Sequence, residues 1–282
     1  MDEEDEKFND PVGLAWPLRP LLGDHLDTLE DRWNAQLRLP GLATGLAELD
    51  DLLGGLEPNT VTAIGGQPGS GKTSLALSIA AHVGTHQEQG VLYFSLQHSH
   101  HQIVERLVMQ EIGADPRQYR RGRLSEGQWT KLGGALDRHS TSMLFIDESP
   151  SLTIDEIRCR AKWMGERHGL ALVVIDSLQL LTDYRHGRST RGEELERAIH
   201  GMKTLAHDEE VPVVVLGQMR PDATGIGGFR DCPAIGECDT VLAVDADPPW
   251  EGEQGRLRVR SLKHFDTERT TALVDVTGRV RG

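Results

Sequence analysis

The chain is short of cysteine, of long apolar runs and of positive charge, and each shortage narrows what it can be. Its three cysteines, Cys159, Cys232 and Cys238, form no CxxC pair and no cluster with ligand spacing. That argues against a disulfide-stapled module and against a zinc framework, and it suits a reducing, cytoplasmic setting. No apolar run approaches the roughly 20 residues that a membrane-crossing helix needs, so no membrane association is expected. The opening residues, Met1-Asp2-Glu3-Glu4-Asp5-Glu6, have the opposite charge to the basic start of a signal peptide. Lys and Arg number 30 against 44 Asp and Glu, a formal net charge of −14. Nucleic-acid binders are usually basic, so a DNA role requires positive charge gathered locally. Residues 2–6 supply five of the negative charges and read as an unstructured acidic tail.

What is present suits one large α/β domain, or one domain with a small extension: 282 residues, 38% of them hydrophobic. Its most informative stretch is Gly66-Gln67-Pro68-Gly69-Ser70-Gly71-Lys72-Thr73, which fits the phosphate-binding pattern GxxxxGK[ST] at every fixed position. The context fits as well. Val61-Thr62-Ala63-Ile64 ahead of it reads as a buried strand, and Ser74 to Ala80 behind it reads as a helix. Glycines let the backbone curl until its N–H groups converge on phosphate oxygens, and the following helix adds its positive dipole end. Residues 66–74 are thus expected to cradle a nucleotide, with Lys72 on the β- and γ-phosphates and Thr73 on Mg²⁺.

Residues 1–20 carry acids and three prolines with little periodicity. In 21–34, Leu22, Leu26, Leu29 and Trp33 recur at helical spacing, one amphipathic helix that must dock elsewhere to bury its stripe. Residues 1–36 are therefore read as a tail plus helix, and 37–282 as the main domain. There, strand-like runs at 60–65, 90–96, 142–147, 170–176, 211–217 and 239–245 alternate with helical patterns. Thr153 with Glu156, and Ser125 with Gln128, have the spacing of capping boxes. This predicts a mostly parallel sheet covered by helices on both faces. The end differs: Arg256–Arg260 alternates with period two and Thr271–Val276 follows, an antiparallel hairpin.

Two apolar runs end in aspartate, at Asp147 and at Asp176, and either could place a carboxylate at a strand end near Mg²⁺. His98-Ser99-His100-His101 invites a metal reading, but adjacent positions do not share a helix face. Ser99 with Gln102 has capping-box spacing, which puts these histidines around a helix start.

Beyond the phosphate loop, the order of motifs resembles the bacterial replicative helicase (DnaB) family, specifically its RecA-like C-terminal ATPase domain. Residues 44–56, TGLAELDDLLGGL, resemble the lead-in TGxxxLDxxxGGL. Residues 94–107, FSLQHSHHQIVERL, resemble FSLEMSxxQLxxRL, and 145–158, FIDESPSLTIDEIR, resemble IDDTPxLTxxEIR. Residues 173–181, VVIDSLQLL, resemble IVVDYLQLM, and 202–220, MKTLAHDEEVPVVVLGQMR, resemble LKxLAKELNVPVxxLSQLxR. The set runs in order over roughly 40–282.

The resemblance implies an ATP- and Mg²⁺-dependent motor in a homo-oligomeric, hexameric ring around single-stranded DNA. It selects Asp176 as the magnesium carboxylate and makes Gln218 the γ-phosphate sensor. It implies DNA contacts in two loops, 183–191 with Arg185, Arg188 and Arg191, and 220–230 with Arg220. Residues 229–235, FRDCPAI, resemble LRESGSI, whose arginine meets the DNA backbone and corresponds to Arg230. Six copies of each arginine would make a positive channel despite the net charge.

Three departures qualify this. Gln97 stands where the family has the glutamate that polarises the attacking water, and an amide cannot accept a proton. His98 and Glu148 are the nearby groups that could take that role. The trans-acting KxRxG signature appears as Lys263-His264-Phe265-Asp266-Thr267, which keeps the lysine and loses the arginine and glycine. Residues 1–36, ahead of the main domain, are too few for the family's N-terminal domain, and the 21–34 helix resembles its linker helix. The leading expectation is a helicase motor that unwinds duplex DNA in replication. The alternatives are a catalytically degenerate ATP-dependent DNA-binding or assembly factor, and a RecA-type recombination or clock ATPase.

Overall fold

The computed structural model describes residues 18–34, 39–182, 190–220, 225–229, 232–246, 256–264 and 271–275. The backbone divides into two units, Met1–Pro40 and Gly41–Gly282. In the first, the described element is a helix, α1 (Leu18–Asn34). It begins three residues before the expected start, because Pro20 falls in the first turn, where a missing N–H leaves no hydrogen bond unmade. Leu22, Leu26 and Leu29 of its stripe are exposed. The side chain of Trp33 lies outside the described residues.

The second unit opens with a short helix, α2 (Ala47–Leu53), and is built on one eight-stranded sheet. Six strands arise near the expected positions: β1 (Val61–Gly66), β2 (Val91–Ser95), β3 (Leu144–Asp147), β4 (Leu172–Asp176), β5 (Val213–Gln218) and β6 (Thr240–Ala246). All their mutual pairings are parallel. The hairpin strands β7 (Arg256–His264) and β8 (Thr271–Asp275) add antiparallel to β6. The order is β3-β2-β4-β5-β1-β6-β7-β8. Strand β7 runs four residues past the expected stop, since Ser261, Lys263 and His264 continue the ladder with β6 around a bulge at the buried Leu262.

The central strands are continuously apolar because both faces are covered. Their residues alternate between two cores. Val61, Val173, Val213 and Val215 pack in the core that includes α7 (Ile154–His168) and α8 (Arg191–Asp208). Ile64, Val174, Val214 and Leu216 pack in the other, with α3 (Lys72–Ala81) and α4 (His100–Ile112). This is the period-two geometry of a strand buried on both sides.

Helix ends follow the side chains that cap them. Capping boxes form at Ser99–Gln102 on α4, at Ser125–Gln128 on α6 (Glu126–His139) and at Thr153–Glu156 on α7, all as the spacing implies. A fourth, Thr190–Glu193, starts α8; its spacing is equally plain in the sequence. Between α4 and α6 lies one helical turn, α5 (Pro116–Arg120). Among the described residues, no helix is long and apolar enough to cross a membrane.

Helices α4 and α6 are joined by a charged cluster. Glu111 accepts from Arg138 Nε (2.8 Å) and meets His139 Nε2 at 2.7 Å. His139 Nδ1 reaches Thr85 Oγ1 at 3.0 Å. Burial raises the Glu111 pKa, but the hydrogen bonds from His139 and Arg138 outweigh it and hold the carboxyl below its usual value. A depressed carboxyl stabilises the fold above its unfolded pKa and loses that contribution as pH falls through the folded one. Glu111→Gln should therefore lower Tm at neutral pH, at about 2–4 °C per kcal/mol lost. The gap from wild type should close as thermal melts are repeated below the ordinary glutamate range. A gap that stays constant down to low pH would contradict the assignment.

Candidate nucleotide-binding site

Because β1, β2, β4 and β5 are parallel, their C-terminal ends meet on one edge of the sheet, the usual ligand-binding edge of such folds. At that edge β1 gives way to Gln67, Pro68 and Gly69, which are exposed, and the chain turns into α3 at Lys72. Gly71 caps that helix with φ +94°, and a Cβ there would lie 2.5 Å from Leu257 of β7. A Cβ on Gly66 would lie 2.3 Å from Ser70 Oγ and 2.5 Å from the Val244 carbonyl. The loop is therefore drawn tight against its own strand neighbours, and only glycine fits at these two places.

Several observations fit this cradle to a phosphate. The Ser70 hydroxyl is buried with no hydrogen-bond partner. Lys72 Nζ donates to the carbonyls of Gly66 (3.0 Å) and Gln67 (2.9 Å), partners it can exchange for phosphate oxygens. Burial lowers the lysine pKa and the nearby Asp176 carboxylate raises it, with burial prevailing. The first turn of α3 points its free N–H groups and positive dipole end into the same loop. Ser74 lies in that turn, and its carbonyl accepts from Gln110 of α4 at 3.1 Å.

A hard-cation position adjoins it. Thr73 Oγ1 donates to Asp176 Oδ2 at 2.9 Å, joining the start of α3 to the end of β4. The same oxygen accepts from Tyr93 Oη at 3.0 Å, and Asp176 is buried. One hydroxyl and one carboxylate, both oxygen donors, suit Mg²⁺. Asp147 is placed otherwise. It ends the edge strand β3, four strand spacings from β1, or about 19 Å. It is bound to Arg160 and accepts from the Ser149 N–H at 2.9 Å. Strand order thus separates the two aspartates, which sequence pattern leaves alike.

Gln97 lies exposed just past β2, and the preceding Leu96 N–H donates to the Asp176 carbonyl at 2.7 Å. Glu148 is held at the start of α4, where its Oε2 accepts from the His100 N–H (2.6 Å) and meets His100 Nδ1 (2.7 Å). His98 is half-buried, with Nε2 3.4 Å from Arg106 Nη2. Burial and then Arg106 lower its pKa, against the opposing Asp176 carboxylate. Arg106 and Tyr93 were not singled out in the sequence. Tyr93 hides in an apolar strand run, and Arg106 is one of several charged residues on an amphipathic helix.

The remaining expected residues are dispersed. Gln218 ends β5 beside Gly66, its register partner, and its N–H donates to Gln179 Oε1 at 3.1 Å. Lys263 donates to the carbonyls of Gly236 (2.9 Å) and Cys238 (2.8 Å) of its own chain. Arg191 spends its guanidinium on the carbonyls of Gln179 (2.9 Å) and Leu181 (2.8 Å) and on Glu194 (2.6 Å). Arg220 is exposed, and its N–H donates to the Gly228 carbonyl at 2.7 Å. Arg185, Arg188, Arg230 and Phe265 lie outside the described residues.

Sheet order, phosphate loop and strand-end carboxylate define a RecA-like ATPase domain. Residues 41–225 match the model of the DnaB-like helicase C-terminal domain, and the chain belongs to that family. Over 224 residues it is 30% identical to the replicative DNA helicase DnaB of Geobacillus stearothermophilus, covering 78% of this chain and 49% of that protein. It is 31% identical over 202 residues to the replicative DNA helicase DnaC of Bacillus subtilis (strain 168), covering 72% and 44%. The chain thus spans about half the length of these curated relatives. Among solved structures, the ATPase domain of G40P superposes with a TM-score of 0.80 at 22% identity, covering 92% of this chain and 95% of that one. A DnaB-like replicative helicase, in a structure described with its primase interactions, gives 0.78 at 21%, covering 92% and 64%. At these identities the structural likeness bears on the fold.

The Tyr93 hydroxyl gives the Asp176 arrangement a direct test. Burial, then the Asp176 charge and its hydrogen bond, push the Tyr93 pKa well above 10. A group raised on folding contributes stability below its unfolded pKa and loses it as pH rises through the folded one. Alkaline titration of native protein, followed by phenolate absorbance, should leave one tyrosine un-ionised until the chain unfolds. Tyr93→Phe should abolish that late step. If the late step survives in the variant, Tyr93 is not held as described.

Proposed function

We propose that this chain is the ATPase module of a replicative-helicase-type motor, which binds ATP with Mg²⁺ and acts on single-stranded DNA inside a ring of identical subunits. The observation that carries the reading is the junction of Lys72, Thr73 and Asp176 at the end of β1 and β4, where a tight glycine loop leaves a buried serine hydroxyl unpartnered. When bound there, Mg²⁺ would neutralise charge on the β- and γ-phosphates. Thr73 and Asp176 would hold it. Lys72 and the N–H groups of residues 66–74 would hold the phosphates. Tyr93 keeps the Asp176 carboxylate aimed by donating to one of its oxygens. Gln218 would read the γ-phosphate from the neighbouring strand end.

Of the arginines expected to meet DNA, Arg220 is exposed and carries the proposal among the described residues. Arg191 donates to the carbonyls of Gln179 and Leu181 and would reach DNA only by releasing them. Lys263 could reach a neighbour's nucleotide only by giving up its two carbonyls. Ring assembly would use the exposed leucines of α1, on a second copy of the chain.

A second reading is favoured by Gln97. An exposed amide stands where a base is wanted, and Glu148 is bound to a helix start. A protein with this site would bind ATP, order a ring on DNA and turn over slowly.

Both readings require nucleotide at Lys72. Loss of a charged hydrogen bond costs about 1.5–3 kcal/mol, or more than tenfold in affinity. Calorimetry of ATP with Mg²⁺ should show that drop in Lys72→Ala. Equal affinities for wild type and variant would sink the assignment.

A further inference from the structure

Phe229 is buried, although it stands nine residues beyond the exposed Arg220, with which its neighbour Gly228 is hydrogen-bonded. Its ring rests on two glycines, Gly65 of β1 and Gly217 of β5, which are register partners across the sheet. A Cβ on Gly65 would stand 2.2 Å from the Phe229 ring, and one on Gly217 would stand 2.8 Å from it. Two adjacent strands thus omit side chains at one rung, and the ring occupies that space. The next rung is Gly66 paired with Gln218, the first residue of the phosphate loop and the strand-end glutamine.

The backbone ties the same places together. Met219 and Phe229 form an antiparallel bridge, and the Arg220 N–H donates to the Gly228 carbonyl at 2.7 Å. The Met219 N–H donates to the Gly66 carbonyl at 3.0 Å, and that carbonyl also accepts from Lys72 Nζ at 3.0 Å. When Lys72 turns to a phosphate, Gly66 loses one of its two donors. The rung shared with Gln218 then feels the change, and the ring seated one residue behind it is packed too closely to absorb it. Close-packed contacts transmit displacement because they have no slack.

We propose that Phe229 is the positioning residue that couples the nucleotide loop to the loop carrying Arg220. It touches neither ligand; it fixes the base of one loop against the floor of the other. The inference rests on the reading above, in which the first loop binds ATP with Mg²⁺ and the second meets single-stranded DNA. It goes beyond that reading in naming the contact through which one ligand changes the affinity for the other.

The test is a linkage measurement on the full chain. The dissociation constant of a fluorescein-labelled oligothymidylate is measured with and without a non-hydrolysable ATP analogue and Mg²⁺. The analogue is titrated separately without DNA. Wild type should show a ratio within the ordinary range of site coupling, about 5- to 150-fold. In Phe229→Ala the ratio should collapse towards one, while the affinity for the analogue alone is retained. Phe229→Leu, which keeps apolar bulk on the glycine floor, should restore part of it. If Phe229→Ala proves unfolded in thermal melts, Phe229→Leu carries the test through an intermediate ratio. The proposal is overturned if a folded Phe229 variant keeps the wild-type ratio. It is also overturned if wild type binds both ligands with a ratio of one. A lowered affinity for both ligands with the ratio intact would mark Phe229 as merely structural and overturn it too. Failure of the underlying reading looks different: wild type alone would then bind no analogue or no oligothymidylate.

Discussion

The site depends on one buried carboxylate oxygen. Asp176 Oδ2 accepts from Thr73 at 2.9 Å and from Tyr93 at 3.0 Å, and so joins α3, β2 and β4. Burying a carboxylate is costly unless it is hydrogen-bonded, and two hydroxyl donors on one oxygen offset that cost. The consequence is positional. The Tyr93 phenol is anchored in the core on one side of the sheet, so the carboxylate cannot drift from the first turn of α3. Loop, helix and strand end are therefore aligned before any ligand arrives, which reduces what ligand binding must organise.

Around this junction, the contacts all lie within one chain. The phosphate cradle, its lysine and its paired oxygen donors are complete. Gln97, an amide that cannot accept a proton, is exposed just past β2. His98, the neighbouring imidazole, is held towards its neutral form by burial and by Arg106.

Much of the fold was legible in the sequence, for reasons that are local. The GxxxxGK[ST] loop, the capping boxes at Ser99, Ser125 and Thr153, and the apolar strand runs each declare themselves within a few residues. What was not legible depends on strand order or on contacts far apart in the chain. Asp147 and Asp176 end similar apolar runs, and only the edge position of β3 separates them. Tyr93 reads as one more core aromatic until its hydroxyl is found 83 positions away in sequence from its acceptor. Arg191 reads as a loop cation for DNA, yet its guanidinium is taken up by carbonyls that the turn after β4 delivers to it. Phe229 precedes Arg230 in the sequence, and nothing in its own sequence neighbourhood announces Gly65 and Gly217. The family resemblance supplied the choice of Asp176, which bottom-up pattern had left open.

We propose that this site drives a ring of identical subunits on single-stranded DNA. The most direct measurement is ATP turnover with and without oligothymidylate, on protein whose oligomeric state is determined in the same samples by mass photometry. Slow basal turnover is expected, since Gln97 cannot accept the water's proton, with the rate raised by DNA and confined to the assembled ring. Turnover by monomers, or a rate in assembled rings that is indifferent to DNA, would contradict it.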